Sequence, residues 1–380
     1  MTAKRKKPKR RKSHRDSHLH PRVIISGYYG FDNLGDELIL KVLIDELKAH
    51  KVEIVVLSQD PKKTAKQYGV EAIKRTSFID VVDALARANL FISGGGGLFQ
   101  DATGPMSALY YGGLIHLAYF FEVPVCFWAQ GVGPLRKKLS RQVTASAMKR
   151  CEVITVRDAG SVALVEALTG ERPEMTADPV WMLNTGKKSK PVLKTSEHEP
   201  WRVGISLRPW PELTEQRLES LAQALIALAE QTDGPVEFWL LPFQKKEDTH
   251  LLADFARHLK LPETLAQRCT VVQIEPADVL DKVGQCHAIV GMRFHSLILG
   301  LLHHIPVYGL VYDPKVAALL EMFHLQGTRI DALESLDGDT LKAHFDQYPP
   351  IDLKPMKQQS QRNFQILNEL LNIPEAELLI

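Results

Sequence analysis

From Arg22 onward the chain alternates short apolar runs with segments of helical period. A strand that returns parallel to its neighbour needs a crossover helix, so this alternation commits the chain to an α/β fold with parallel sheets. In the first half the predicted strands are Arg22–Ser26, Glu53–Leu57, Leu90–Ser93, Val123–Trp128 and Val153–Val156. Helices such as Glu37–Lys48, Pro105–Phe121 and Ser140–Cys151 lie between them, and Asp178-Pro179-Val180-Trp181 reads as the last edge of the domain. After a polar linker the pattern restarts with strands Arg202–Leu207, Val236–Leu241, Thr270–Gln273, Ala288–Val290 and Val307–Val311. The helix Gln216–Glu230 aligns Leu218, Leu221, Ala222, Leu225, Leu228 and Ala229 on one face, the 3.6-residue period. The expectation is two doubly wound, Rossmann-like domains facing a cleft: a tail over 1–21, domains over 22–184 and 201–345, a linker over 185–200, and a segment over 346–380. The last segment carries a helix, Ser360–Leu371, that can pack back on the first domain.

Composition narrows the setting. The 45% apolar and 24% charged content over 380 residues is that of a soluble globular protein. Residues 1–22 carry a balance of +9 within a total of +2, leaving −7 for the body. The arm Lys4–Lys12 has no apolar periodicity and no apolar h-region, so it is neither a folded element nor a secretory signal. It reads either as a solvated tail or as a contact for an anionic membrane face. The acidic body excludes specific nucleic-acid binding. Leu114–Ala129 is the longest apolar stretch and is broken by Glu122 and Pro124, too short to span a bilayer. Cys126, Cys151, Cys269 and Cys286 form no metal-type pair and read as reduced core thiols. No His, Cys, Asp and Glu set has metal-site spacing, and neither metal nor cofactor is expected. These features imply a cytoplasmic protein, peripheral at the inner face of the plasma membrane if the arm engages lipid.

Chemistry concentrates where predicted strands end. Arg293 and His295 in Gly291-Met292-Arg293-Phe294-His295-Ser296, and Lys315 in Tyr312-Asp313-Pro314-Lys315, follow strand ends, where open α/β sheets bind ligands. Arg208 in Ser206-Leu207-Arg208-Pro209-Trp210 and Arg157 in Thr155-Val156-Arg157-Asp158 occupy matching positions, Arg157 in the first domain. Cations from both domains suit a small, multiply charged anion gripped in the cleft; Arg157 beside Asp158 also reads as a surface ion pair, and His295 as a core histidine. Gly94-Gly95-Gly96-Gly97 follows a strand and precedes a helix, which fits a phosphate or merely a tight turn. In Gly27-Tyr28-Tyr29-Gly30-Phe31-Asp32-Asn33-Leu34-Gly35-Asp36-Glu37, Asp36 fits a helix N-cap and leaves Asp32 and Asn33 without structural duty. Asp32 is then a candidate to hold or deprotonate an acceptor hydroxyl, or a turn residue.

With these motifs in order, and with Ala129-Gln130-Gly131-Val132-Gly133-Pro134-Leu135, Thr176-Ala177-Asp178-Pro179 and Leu241-Pro242-Phe243-Gln244, the chain resembles the polysaccharide pyruvyl transferases, specifically the cell-surface-anchoring (CsaB) type. The resemblance covers roughly residues 22–345. It implies a GT-B-like fold and transfer of pyruvate from phosphoenolpyruvate to a sugar diol as a cyclic ketal. The acceptor it implies is N-acetylmannosamine of a lipid-linked cell-wall polysaccharide precursor, in S-layer anchoring. Positions matching the family's phosphoenolpyruvate site are Arg157, Arg293, His295 and Lys315, with Arg208 assisting; His295, Arg293 and Asp32 are the expected catalytic residues. Tyr29, Asp32, Asn33, Gly95, Gly96, Gln100 and Asp101 are expected to meet the acceptor sugar. The competing reading on the same fold is a nucleotide-sugar glycosyltransferase of envelope polysaccharide synthesis.

Overall fold

The computed structural model describes residues 20–102, 104–185, 199–275 and 277–372. The basic arm, nearly all of the expected linker and the chain end 373–380 lie outside the described residues. By contact the chain divides into two compact units. The first takes residues up to Phe31, Ile39–Thr176 and residues from Arg362; the second takes Asp32–Leu38 and Ala177–Gln361.

In the first unit the strands are β1 (Arg22–Ser26), β2 (Glu53–Ser58), β3 (Glu71–Lys74), β4 (Leu90–Ser93), β5 (Gly96–Phe99), β6 (Val125–Val132), β7 (Val153–Val156) and β8 (Glu174–Met175). They run parallel in the order β3-β2-β1-β4-β6-β7-β8, with β5 alongside β6. Strands such as Val-Ile-Ile and Ile-Val-Val-Leu are apolar throughout because helices cover both faces of a parallel sheet. Ile24, Val55, Phe91 and Phe127 accordingly sit in one buried cluster.

The second unit has β9 (Trp201–Ser206), β10 (Val236–Leu240), β11 (Cys269–Gln273), β12 (Ala288–Gly291), β13 (Val307–Val311) and β14 (Gly327–Arg329). Their order, β11-β10-β9-β12-β13-β14, is the 3-2-1-4-5-6 arrangement of a dinucleotide-type sheet. The helix Glu215–Glu230 buries Leu218, Leu221, Ala222, Leu225 and Leu228 against it, as the periodicity demands. Each such leucine contributes about 1.5–3 kcal/mol of transfer free energy. The chain reverses direction of strand addition between β9 and β12, whose ends are level because Ser206 pairs with Gly291. Ligands in such sheets bind at that switch point.

Four expectations change. The short strands β3, β5, β8 and β14 had no signal of their own. The glycine run leads into β5, and the next helix begins only at Met106, so no helix N-terminus follows the glycines. Asp178-Pro179-Val180-Trp181 is no strand edge: Asp178 caps a 3-10 helix, Pro179–Met182, that belongs to the second unit. The division by contact also differs from the expected boundaries, because a segment's contacts outweigh its place in the sequence. Asp32–Leu38 counts with the second unit and the end of the helix Lys354–Leu371 with the first. There Asn363 accepts hydrogen bonds from the Thr155 and Thr176 hydroxyls at 3.0 and 2.7 Å, and its carbonyl accepts one from Trp128 Nε1 at 3.2 Å.

Candidate functional site: a cationic cluster at the switch point of the second unit

Three of the predicted cations leave neighbouring strands of one sheet. Arg208 follows β9, Arg293 follows β12, and Lys315 lies in the first turn after β13. The Met292 amide donates to Ser206 O at 2.7 Å, which prolongs the β9–β12 pairing up to the point where Arg293 turns into the helix Phe294–Leu302. Asp313 caps the helix Pro314–Met322 by accepting from the Lys315 amide at 2.9 Å.

Arg293 is anchored by acids that its sequence neighbourhood does not contain. Its Nε donates to Asp248 Oδ2 at 3.0 Å, its Nη2 to Asp248 Oδ1, and its Nη2 also to Glu247 Oε2 at 3.2 Å. Asp248 is fully buried and takes a further bond from the Gln244 amide at 2.8 Å. Burial pushes the Asp248 carboxyl above its ordinary range, opposed but not cancelled by the adjacent guanidinium. Burial would lower the Arg293 pKa, but the Asp248 charge and hydrogen bonds outweigh it, so Arg293 stays charged. Arg293 is therefore not a free cation. Two of its three nitrogens serve a built ion pair, and Nη1 lies outside those bonds.

The Asp32–Asn33 turn joins this group. The Leu34 amide donates to Phe243 O at 2.9 Å, Asn33 bridges Gln244, and the Lys245 amide donates to Asp32 O at 3.3 Å. Gln244 and Asp248 thus link the Asp32–Asn33 turn to Arg293. Asn33, not Asp36, caps the helix Leu34–Ala49: its Oδ1 accepts from the Gly35 amide at 3.1 Å and its carbonyl from the Glu37 amide at 3.0 Å. Asn33 therefore has the structural duty assigned to Asp36. Asp32 holds φ at +60°, a left-handed conformation that Asp tolerates better than most residues.

Gly35 brings His295 into the same place. A Cβ at Gly35 would lie 2.1 Å from His295 Nδ1, so the imidazole occupies the room a side chain would take. On its other side, His295 Nε2 is 3.4 Å from Asp178 Oδ2, a carboxylate that also accepts from the Val180 amide through Oδ1 at 3.0 Å. His295 is thus held between a carboxylate and a helix start, rather than lying in the apolar core.

Arg208 differs from Arg293. Its Nη1 donates to the Tyr312 hydroxyl at 3.3 Å, and its guanidinium lies 5.0 Å from the Tyr312 ring centre and 5.6 Å from that of Trp210. Its Nε is buried without a hydrogen-bond partner, and no carboxylate pairs with it among the described residues. A buried unsatisfied donor of this kind costs about 1–3 kcal/mol. Lys315 Nζ stands 5.8 Å from the Tyr312 ring centre and 3.8 Å from Asp313 Oδ2. Tyr312 is therefore the common neighbour of two cations, with Trp210 bracing one of them.

The remaining expected residues belong to the first unit. Arg157 follows β7 and lies against Gly131, where a Cβ would come within 3.0 Å of its Nε and Nη2. Gly95 and Gly96 are buried, and Gln100 accepts from the Ala102 amide through Oε1 at 2.7 Å. Tyr29 is wholly buried beneath Gly27 and Gly94, and it does not present its ring to a sugar. Asp101 is also corrected: its carboxylate accepts from the Arg136 and Lys137 amides at 2.7–2.9 Å and clamps a loop. Burial raises its pKa, but those bonds, one from Ser140 and the Lys137 charge together hold it below the ordinary value.

Residues 33–314 match the sequence profile of the family described as polysaccharide pyruvyl transferase. The chain belongs to that family. As a polysaccharide pyruvyl transferase it is a transferase of polysaccharide biosynthesis, and Lys315 lies one residue past the matched span. Its fold is also that of GT-B-type sugar enzymes. The UDP-GlcNAc 2-epimerase of Methanocaldococcus jannaschii superposes with a TM-score of 0.60 at 11% identity, covering 92% of this chain and 100% of the other. An Anabaena protein in complex with UDP and glucose gives 0.55 at 12% identity, covering 93% and 100%. The Neisseria meningitidis UDP-GlcNAc 2-epimerase bound to UDP-GlcNAc gives 0.56 at 10% identity, covering 92% and 100%. Such likeness shows the fold alone. Within this pyruvyl transferase, the residues that sequence reasoning left without a role are Asp248, Glu247, Asp178, Trp210 and Tyr312. Tyr312 and Asp178 stood inside quoted motifs, whereas Asp248 is 45 positions from Arg293 and had no local signal.

Proposed function

We propose that this pyruvyl transferase moves pyruvate from phosphoenolpyruvate onto two hydroxyls of one sugar as a cyclic ketal and releases phosphate. The observation that carries the reading is Arg208, a cation without a carboxylate partner among the described residues, grouped with Tyr312 and Lys315 at the switch point. Phosphoenolpyruvate bears a carboxylate and a phosphate, and it needs more than one such cation.

In the proposed reaction a proton adds to the methylene carbon of phosphoenolpyruvate, leaving the positive charge at the central carbon. One sugar hydroxyl forms its C–O bond there and loses its proton. Phosphate then departs with the electrons of its C–O bond, and the second hydroxyl closes the ring with loss of its own proton. His295 supplies the first proton, and the Asp178 carboxylate supports the imidazolium beside it. Arg208 and Lys315 neutralise substrate and leaving phosphate. Arg293, balanced by Asp248 and Glu247, fixes the turn that carries His295. Asp32 and Asn33 handle the acceptor. The acceptor proposed is N-acetylmannosamine of a lipid-linked cell-wall polysaccharide precursor, the cell-surface-anchoring (CsaB) role, with neither metal nor cofactor required.

Phosphate release from phosphoenolpyruvate, measured with N-acetylmannosamine, glucose and galactose acceptors and mass detection of the ketal, tests this. His295→Ala should lower turnover by about 100- to 10,000-fold. Absence of release with every acceptor would sink the reading. Dependence on a nucleotide sugar with indifference to phosphoenolpyruvate would replace it with glycosyl transfer; solved structures of similar fold hold UDP or UDP-GlcNAc.

A further inference from the structure

We propose that the carboxyl edge of the first unit's sheet is a docking face for an anionic phospholipid bilayer, an inference independent of the ketal chemistry above. In a parallel sheet every strand hands its chain to a helix at the same edge. At this edge β3 leads to the helix Phe78–Ala86, β5 to Met106–Phe120 and β6 to Lys138–Met148. The first turns of all three helices carry large exposed apolar side chains. Phe78 is 71% exposed, Ile79 79%, Met106 71% and Leu139 50%. Singly exposed apolar side chains are ordinary on a surface, so these four carry weight only with the cations around them.

Hydrogen bonds hold the approaches to these turns. Tyr110, one turn after Met106, donates its hydroxyl to Arg75 O at 2.8 Å, three residues before Phe78. Asp101 holds the Arg136 and Lys137 amides, fixing the approach to Leu139.

The charge at this edge selects the partner. Lys62, Lys63, Lys74, Arg136, Lys137 and Lys138 are exposed there. Against them stand Asp60, which caps the helix Pro61–Tyr68, Asp80, and Asp158, which caps the helix Ala159–Thr169; Asp101 is buried and committed. Arg75 has no ion pair among the described residues. Its guanidinium rests on aromatic rings, 4.1 Å from the centre of Tyr110, 5.1 Å from Phe31 and 5.3 Å from Tyr111. Lysine is depleted from protein interfaces, whereas anionic headgroups attract it. Apolar residues spread singly among cations fit an interface that moulds around them, with phenylalanine, isoleucine and methionine below the headgroups and lysines among them.

Flotation of the full chain with phosphatidylcholine vesicles, with and without phosphatidylglycerol, tests the face. The parent carries Lys4, Lys6, Lys7, Lys9 and Lys12 changed to Gln, so that the arm does not dominate. That parent should still float with phosphatidylglycerol vesicles, less so at high salt. Phe78→Ser, Ile79→Ser and Met106→Ser combined should lower binding roughly tenfold or more, with pyruvyl transfer to a water-soluble acceptor unchanged. Phe120→Ser removes an equally exposed ring (75%) from the opposite end of its helix and should bind like the parent. Lys137→Glu with Lys138→Glu, which leaves the apolar residues intact, should weaken binding as well. Binding equal to the parent in both the triple and the charge-reversed variants overturns the proposal. So does a parent that fails to float, an equal loss in Phe120→Ser, or a parent oligomer that the triple variant dissociates.

Discussion

Gly35 lacks a side chain where the His295 imidazole needs the room. Glycine here is required by a close approach, not by its backbone angles, because a Cβ would lie 2.1 Å from Nδ1. Gly35→Ala should therefore leave the helix Leu34–Ala49 intact, since alanine favours helix, while pushing the ring from its place beside Asp178. The expected result is a thermal midpoint near that of the parent and a loss in kcat of about 100-fold. A variant with full turnover would separate His295 placement from catalysis. The two strand-end arginines teach a related lesson. In the sequence Arg208 and Arg293 look equivalent, yet Arg293 is spent on a buried carboxylate and Arg208 is not. Residue type and position name a candidate ligand; only the partners say whether its charge is available.

At the scale of elements, apolar strands were legible, whereas exposed or glycine-led strands were not. β1, β4, β7 and β13 have the bounds read from the sequence, because a strand covered on both faces must be apolar at every position. β3 and β8 sit at or near the sheet margin with exposed residues and carry no such pattern. The glycine run misled for a different reason: β5 pairs with β6 through backbone alone, so glycine offers no side-chain signal for it. The terminal helix Lys354–Leu371 shows what an element can do at a distance. Asn363 receives two buried hydroxyls and an indole N–H from β6, β7 and Thr176. Asn363→Ala leaves the Thr155 and Thr176 hydroxyls without this acceptor, and should cost about 1–3 kcal/mol in denaturant unfolding. A cost near zero would mean that the helix end is held by apolar packing alone.

Over the whole molecule, each unit carries its own core and two of the four cysteines, all buried and free. Burial pushes the Cys126 and Cys286 thiols up to about 12, so neither access nor ionisation favours their reaction in the folded chain. Thiol labelling along a denaturant gradient, read by mass, should therefore find Cys126 and Cys151 reacting as the first unit opens, and Cys269 and Cys286 as the second does. Rapid labelling of Cys126 or Cys286 without denaturant would contradict these cores. No helix among the described residues is long and apolar enough to cross a membrane. What the sequence by itself determined is the class of fold and the family, because hydrophobic period and ordered motifs are local properties that survive reading one residue at a time. Only the tertiary structure decided which charges neutralise one another. The Asp248–Arg293 pair, the Asp178–His295 contact and the seating of Gly35 against His295 join residues far apart in the chain, and only the packing of helix starts and loops in the folded unit makes them neighbours.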